Sequence, residues 1–129
     1  MTTESQTSAA TNGCQMEAIV RALYPGAKFE YTGLIDFSIN GVRVEVKSCQ
    51  DKVHDSSLSG GSRSGRFVFS DLQQQTLIEN RGEYILLVHK EGVPIVYIRV
   101  PASKLQTILG KFSGVKAVCW KTAIKGALS

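Results

Sequence analysis

The chain has 129 residues, 43% hydrophobic and 20% charged, enough to bury one core and too apolar for global disorder. Fifteen Lys and Arg against eleven Asp and Glu leave a net charge of +4, which suits a polyanionic partner without requiring one. Three scattered cysteines, Cys14, Cys49 and Cys119, form neither a disulfide framework nor a zinc site, so reduced thiols in a cytoplasmic protein are expected. No apolar run approaches the roughly 18 residues of a membrane span, and "MTTESQTSAATNG" lacks the apolar stretch of a signal peptide.

Residues 1–12 are rich in Ser, Thr and Gln and read as a disordered tail ahead of a single domain over 13–129. From Gly13, apolar residues at helical spacing (Met16, Ile19, Val20, Leu23) predict a helix with Asn12 as N-cap, stopped by Pro25-Gly26. A short strand over 28–31 and a hairpin over 34–48 follow. Residues 50–65 are Ser- and Gly-rich and read as one long flexible loop, a common place for function. Ser70 then caps a helix to about Asn80, with Gln73 at the capping-box position. "EYILLVHK" and "VPIVYIRV", joined by Glu91-Gly92, read as two adjacent central strands. A short helix is expected over 102–109, and "VKAVCWKTAI" leans towards a strand over a last helix. The order implies an α/β fold, a mixed β-sheet flanked by helices.

The informative stretch is "LIDFSINGVRVEVKSC". Asn40-Gly41 predicts a two-residue type I′ turn, because both residues tolerate positive φ. Such a turn sets Ile39 opposite Val42, so paired residue numbers sum to 81 and Asp36 falls opposite Glu45. Lys47 shares their face, while Ile35, Phe37, Ile39, Val42, Val44 and Val46 point the other way. Like charges directly opposed destabilise a strand pair, and a divalent cation between them reverses that sign. Mg²⁺ takes one or two carboxylates and completes its shell with water and phosphate oxygens. An ammonium alongside can hold or activate the attacking water or stabilise charge on phosphorus. This pattern suits metal-assisted phosphodiester hydrolysis. A solvated face, with Arg43 and Lys47 screening two carboxylates, is the competing reading.

"GLID" and "EVK" together resemble the D…ExK signature of the PD-(D/E)xK nuclease superfamily, with Ile35 where a proline commonly precedes the aspartate. Within it, the chain is similar to small archaeal Holliday junction resolvases. "GCQMEAIVRAL" supplies their G-x-x-x-E-x-x-x-R helix through Gly13, Glu17 and Arg21. Glu45 to Ser48 give Glu-Val-Lys-Ser, and "QQQTLIE" offers a helix glutamine, Gln73. The likeness covers roughly residues 13–100. It implies a restriction-endonuclease-like core in which Asp36, Glu45, the Val46 carbonyl and Glu17 bind Mg²⁺, with Mn²⁺ able to substitute. Lys47 would be the catalytic lysine, and Gln73 would orient the site.

The resemblance also implies a DNA endonuclease of recombination or repair, acting as a homodimer. Duplex cleavage of restriction, homing or repair type, or a non-catalytic binding module, are the alternatives. The 50–65 loop is longer, and the strand pair before it shorter, than in such resolvases, so the DNA structure recognised stays open. Lys52, Arg63 and Arg66 in the loop and Arg43 on the hairpin rim are the candidate phosphate contacts. The exposed edge near "VPIVYIRV" is the candidate dimer surface.

Simpler readings compete at several positions. Glu17 can pair with Arg21 at i, i+4, and Gln73 can merely complete the capping box. Gln73 to Gln75 can form a polar helix face. His54 and His89 are isolated, and Tyr84 and Tyr97 read as packed strand residues.

Overall fold

The computed structural model describes residues 18–26, 28–29, 37–54 and 61–129. Helix α1 is described over 18–23. Strands β1 (Lys28–Phe29), β2 (Phe37–Ile39) and β3 (Val42–Gln50) follow, then β4 (Lys52–His54), β5 (Ser62–Ser64) and β6 (Arg66–Ser70). Helix α2 (Asp71–Glu79) leads into β7 (Glu83–Lys90) and β8 (Val93–Pro101). A 3₁₀ turn (Ala102–Leu105), α3 (Gln106–Leu109), β9 (Val115–Cys119) and α4 (Trp120–Leu128) complete the chain.

The main sheet runs β1-β2-β3-β7-β8. All its neighbours are antiparallel except β3 and β7, which pair in parallel across a crossover that carries β6 and α2. The fold is therefore α/β with a mixed sheet, as the element order implied. Two small ladders, β4-β5 and β6-β9, stand apart from it.

Turn chemistry fixes both hairpins. Asn40 (φ 52°) and Gly41 (φ 82°) make the β2–β3 turn, and Glu91 (φ 51°) and Gly92 (φ 81°) make the β7–β8 turn. The first sets the expected register: Ile39 faces Val42, Ser38 faces Arg43 and Phe37 faces Val44.

Because side chains alternate along a strand, β7 serves two cores. On one side Ile85 joins Ile39 and Val44 against Val20 of α1, with Tyr24, Val42 and Val46 around them. On the other, Tyr84, Leu86 and Val88 pack with Phe67 and Phe69 of β6, Leu77 of α2, Leu105, Leu109 and Ala123 of α4. Helices thus cover both faces.

Four readings need correction. The stretch 50–65 is not one loop: β3 reaches Gln50, and Lys52–His54 pairs with Ser62–Ser64. Its ladder carries no apolar alternation, so only backbone pairing announces it. Among the described residues strand β8 is an edge strand, not a central one, and leaves Val93 and Ile95 exposed. Pro94 suits that place, since it has no N–H to offer a further neighbour. The run over 115–124 is neither strand nor helix alone but β9 followed by α4. Finally, Gln73, Gln74 and Gln75 do not form one polar face; their side chains meet three different environments.

Candidate active site

Strand β3 turns Val44 and Val46 into the α1 core and Glu45 and Lys47 to the opposite face. That face is not wet. Glu45 is only 5% exposed, and the Lys47 side chain 15%. The solvated-face reading fails on this burial, because an ordinary surface carboxylate stays in water. The parallel register places Glu45 beside Tyr84 and Lys47 beside Leu86.

Gln73 reaches this pair from the first turn of α2. Ser70 caps the helix by accepting the Gln73 backbone N–H at 3.4 Å. The Gln73 side chain does not return the bond, as a capping box would have it. Its Oε1 instead accepts the Lys47 ammonium at 2.8 Å, and Lys47 Nζ lies 3.8 Å from Glu45 Oε1. Three residues from two elements therefore converge: a buried carboxylate, an ammonium and an amide that fixes the ammonium.

Beneath them lies a second amide, which the sequence pattern did not single out. Gln74 is buried; its Oε1 accepts the Tyr84 hydroxyl at 2.6 Å, and its Nε2 donates to the Ala102 carbonyl at 3.1 Å and to Gln106 Oε1 at 3.2 Å. The available signal was the spacing to Leu77, three residues on and also buried, which marks the inward stripe of α2. Burial, with the Glu45 charge adding to it, pushes the Tyr84 phenol well above its usual range. It stays protonated, and its ring stands edge-on to Phe69 at 5.3 Å. Tyr84 is thus a packed strand residue, as expected. Tyr97 is more exposed and donates its hydroxyl to Tyr24.

Glu17 and Asp36 lie outside the described residues. Among the described residues, no three His, Cys, Asp or Glu side chains gather into a metal cluster. Glu45 and the Val46 carbonyl are hard oxygen donors of the kind Mg²⁺ takes, so this part of the donor set fits such an ion.

The candidate phosphate contacts split. Arg43 is exposed opposite Ser38 at the hairpin rim, Lys52 is exposed on β4, and Arg66 is exposed at the start of β6. Arg63 is half-buried and donates to the Ser64 carbonyl at 3.1 Å. His89 is buried and His54 exposed; neither stands in a nucleophile–base pair among the described contacts. Cys49 and Cys119 are free thiols.

The PD-(D/E)XK nuclease superfamily domain matches residues 2–121, nearly the whole chain and including most of the stretch that composition reads as a tail. The chain belongs to the PD-(D/E)XK nuclease superfamily. Members of this superfamily typically use divalent metals to cut nucleic acid. A search of curated proteins gives no match. No helix among the described residues is long and apolar enough to cross a membrane.

Proposed function

We propose that the protein is a Mg²⁺-dependent DNA endonuclease, with 13–129 as its single catalytic domain. The observation that carries this reading is the convergence of buried Glu45, Lys47 and Gln73 in a chain of nuclease ancestry. Asp36, Glu45, the Val46 carbonyl and Glu17 would hold the metal. When bound, it would neutralise charge on the scissile phosphate and acidify a coordinated water.

The chain's own residues supply the rest. Lysine carries three N–H donors on one nitrogen, so fixing one on Gln73 sets the directions of the others. Lys47 can then present a defined donor to the attacking water or to a phosphate oxygen. Glu45, held at 3.8 Å, biases the ammonium towards the reacting centre. Arg43, Lys52, Arg63 and Arg66 would contact phosphates on either side, positioning the strand without reading its bases.

The substrate we favour is branched DNA of the Holliday-junction type, as in recombination and repair, cut by a homodimer. Two symmetric cuts need two sites, and the exposed edge of β8 offers an isologous pairing surface. The motif resemblance over 13–100 supports this substrate.

The test is cleavage of a four-way junction, a linear duplex and single-stranded DNA, with Mg²⁺ or EDTA, by the wild type, Glu45→Ala and Lys47→Ala. The reading expects Mg²⁺-dependent cutting of the junction above all, lost in both variants. Cleavage that ignores EDTA or survives either substitution would overturn the mechanism. Preference for the linear duplex would move the substrate to a restriction, homing or repair type. Tight, salt-dependent binding without cleavage would identify a non-catalytic module.

A further inference from the structure

Three distant segments meet at the carbonyl of Asp51, just beyond the end of β3. It accepts the Gly65 backbone N–H at 3.1 Å and the Trp120 indole Nε1–H at 2.9 Å. The Trp120 backbone N–H closes the junction on the Gly65 carbonyl at 3.1 Å. Gly65 is required there: a Cβ would sit 1.8 Å from the Gln50 carbonyl oxygen.

Each member of this junction is followed by an exposed cation: Asp51 by Lys52, Gly65 by Arg66, Trp120 by Lys121. The Lys121 ammonium lies over the Trp120 ring at 5.7 Å, and Lys125 stands one turn further along α4, also exposed. Among the described residues, neither Lys121 nor Lys125 meets a carboxylate within ion-pair distance. One carboxylate lies at the junction itself, that of Asp51, whose Oδ1 accepts the Lys52 backbone N–H at 2.8 Å. From Gly92 to Ser129 the sequence has six Lys and Arg and no Asp or Glu.

We propose that Lys121 and Lys125 join Lys52 and Arg66 in a rigid platform that grips the backbone of duplex DNA beside the cut. The proposal rests on the nuclease reading and adds α4 to the DNA-binding surface. These hydrogen bonds tie together the three segments that carry the cations, which lowers the ordering cost of meeting a polyanion. Four residues of extended strand separate Lys47 from Asp51, about 13 Å. At about 3.4 Å per base pair, the platform would meet phosphates about four base pairs from the scissile bond. An anionic membrane would also attract these lysines, but superfamily membership and the short run of chain from Lys47 to Asp51 favour DNA.

The experiment is binding of the full-length protein to a 5′-labelled duplex of about 30 base pairs in EDTA, across a KCl series, for the wild type and Lys121→Gln/Lys125→Gln; each phosphate contact contributes about 0.9 to the slope of log K against log salt. The double variant should bind more weakly at low salt, with a slope shallower by about 1.8 for two lost contacts. Glutamine is close to lysine in helix propensity, so far-ultraviolet circular dichroism should not change. An unchanged slope, with the wild type binding normally, would overturn the platform and leave the nuclease reading intact. Failure of the wild type to bind both this duplex and a four-way junction at low salt would remove the nuclease reading and the platform with it. Equally tight wild-type binding to phosphatidylserine vesicles, lost in the variant, would overturn DNA as the occupant.

Discussion

The side chain of Gln73 takes the ammonium of Lys47 at 2.8 Å, while its own backbone N–H caps α2 on Ser70. One residue therefore ties the start of a helix to the lysine of the ExK strand. Gln73→Ala should leave the helix cap in place, since the cap uses only the backbone. It should remove one of the contacts that orient Lys47 and lower single-turnover cleavage about 10–100-fold, the usual loss when an orienting partner is removed. Thermal stability should change little. Equal rates for Gln73→Ala and the wild type would reduce Gln73 to a helix-start residue.

Burial of Glu45 has a consequence for metal binding. A carboxylate at 5% exposure is costly to keep charged, and a bound cation offsets that cost. Mg²⁺ should therefore stabilise the wild type by about 2.7 kcal/mol at 100 times its dissociation constant and raise its melting temperature accordingly. Glu45→Gln should melt at the same temperature with or without Mg²⁺, and should not cleave. Scanning calorimetry in Mg²⁺ and in EDTA checks both. A Mg²⁺ shift retained in the variant would place the ion elsewhere.

Adjacent glutamines should behave in opposite ways. Gln74→Ala would strand the buried Tyr84 hydroxyl, costing roughly 1–3 kcal/mol, and would take one of two donors from the Ala102 carbonyl. Gln75 is exposed, and Gln75→Ala should stay within about 0.5 kcal/mol of the wild type. Urea titrations of the two variants, compared at equal slope, distinguish them. Similar midpoints would mean that the Gln74 network carries no stability.

Gly65 should tolerate no side chain. A Cβ there would meet the Gln50 carbonyl, which is backbone and cannot rotate away. Gly65→Ala should therefore push β3 and β6 apart and cost at least the roughly 1–3 kcal/mol of an overpacked core. It should also loosen the Asp51–Trp120 contact, seen as a red shift and loss of intensity in the fluorescence of the single tryptophan. Wild-type stability in Gly65→Ala would contradict the close approach.

Much of this was legible where one residue type decides the backbone. Asn40-Gly41 and Glu91-Gly92 gave away both hairpins because positive φ is demanding, and the β2–β3 register followed by counting. Cooperation between distant segments was not legible. The β4–β5 ladder has no apolar alternation, and nothing local tells that Gly65 lies on Gln50. Helix α4 was obscured by Gly126, a poor helix residue kept where a Cβ would lie 1.6 Å from Ile108 Cδ1. At the site, the ExK strand and its glutamine were readable as types and spacings. The bond between Lys47 and Gln73 was not, because a sequence shows a capping box and a lysine clamp in the same letters.

His89 should make the fold acid-sensitive ahead of its carboxylates. It is 2% exposed, and among the described residues its Nδ1 finds no hydrogen-bond partner. Burial lowers its pKa below 6.5, against a smaller opposing pull from Asp51. The folded protein thus keeps His89 neutral where the unfolded chain takes up a proton. The resulting stability is fully present above pH 6.5 and is lost as pH falls from there towards the folded value, by up to about 1.4 kcal/mol per pH unit. Most carboxylates titrate lower, so the window from about pH 6.5 to 5 isolates this group. His89→Phe keeps an apolar ring in the site and removes the proton acceptor. Urea midpoints should fall for the wild type across that window and stay nearly flat for His89→Phe, whereas parallel declines would assign the acid sensitivity to other groups.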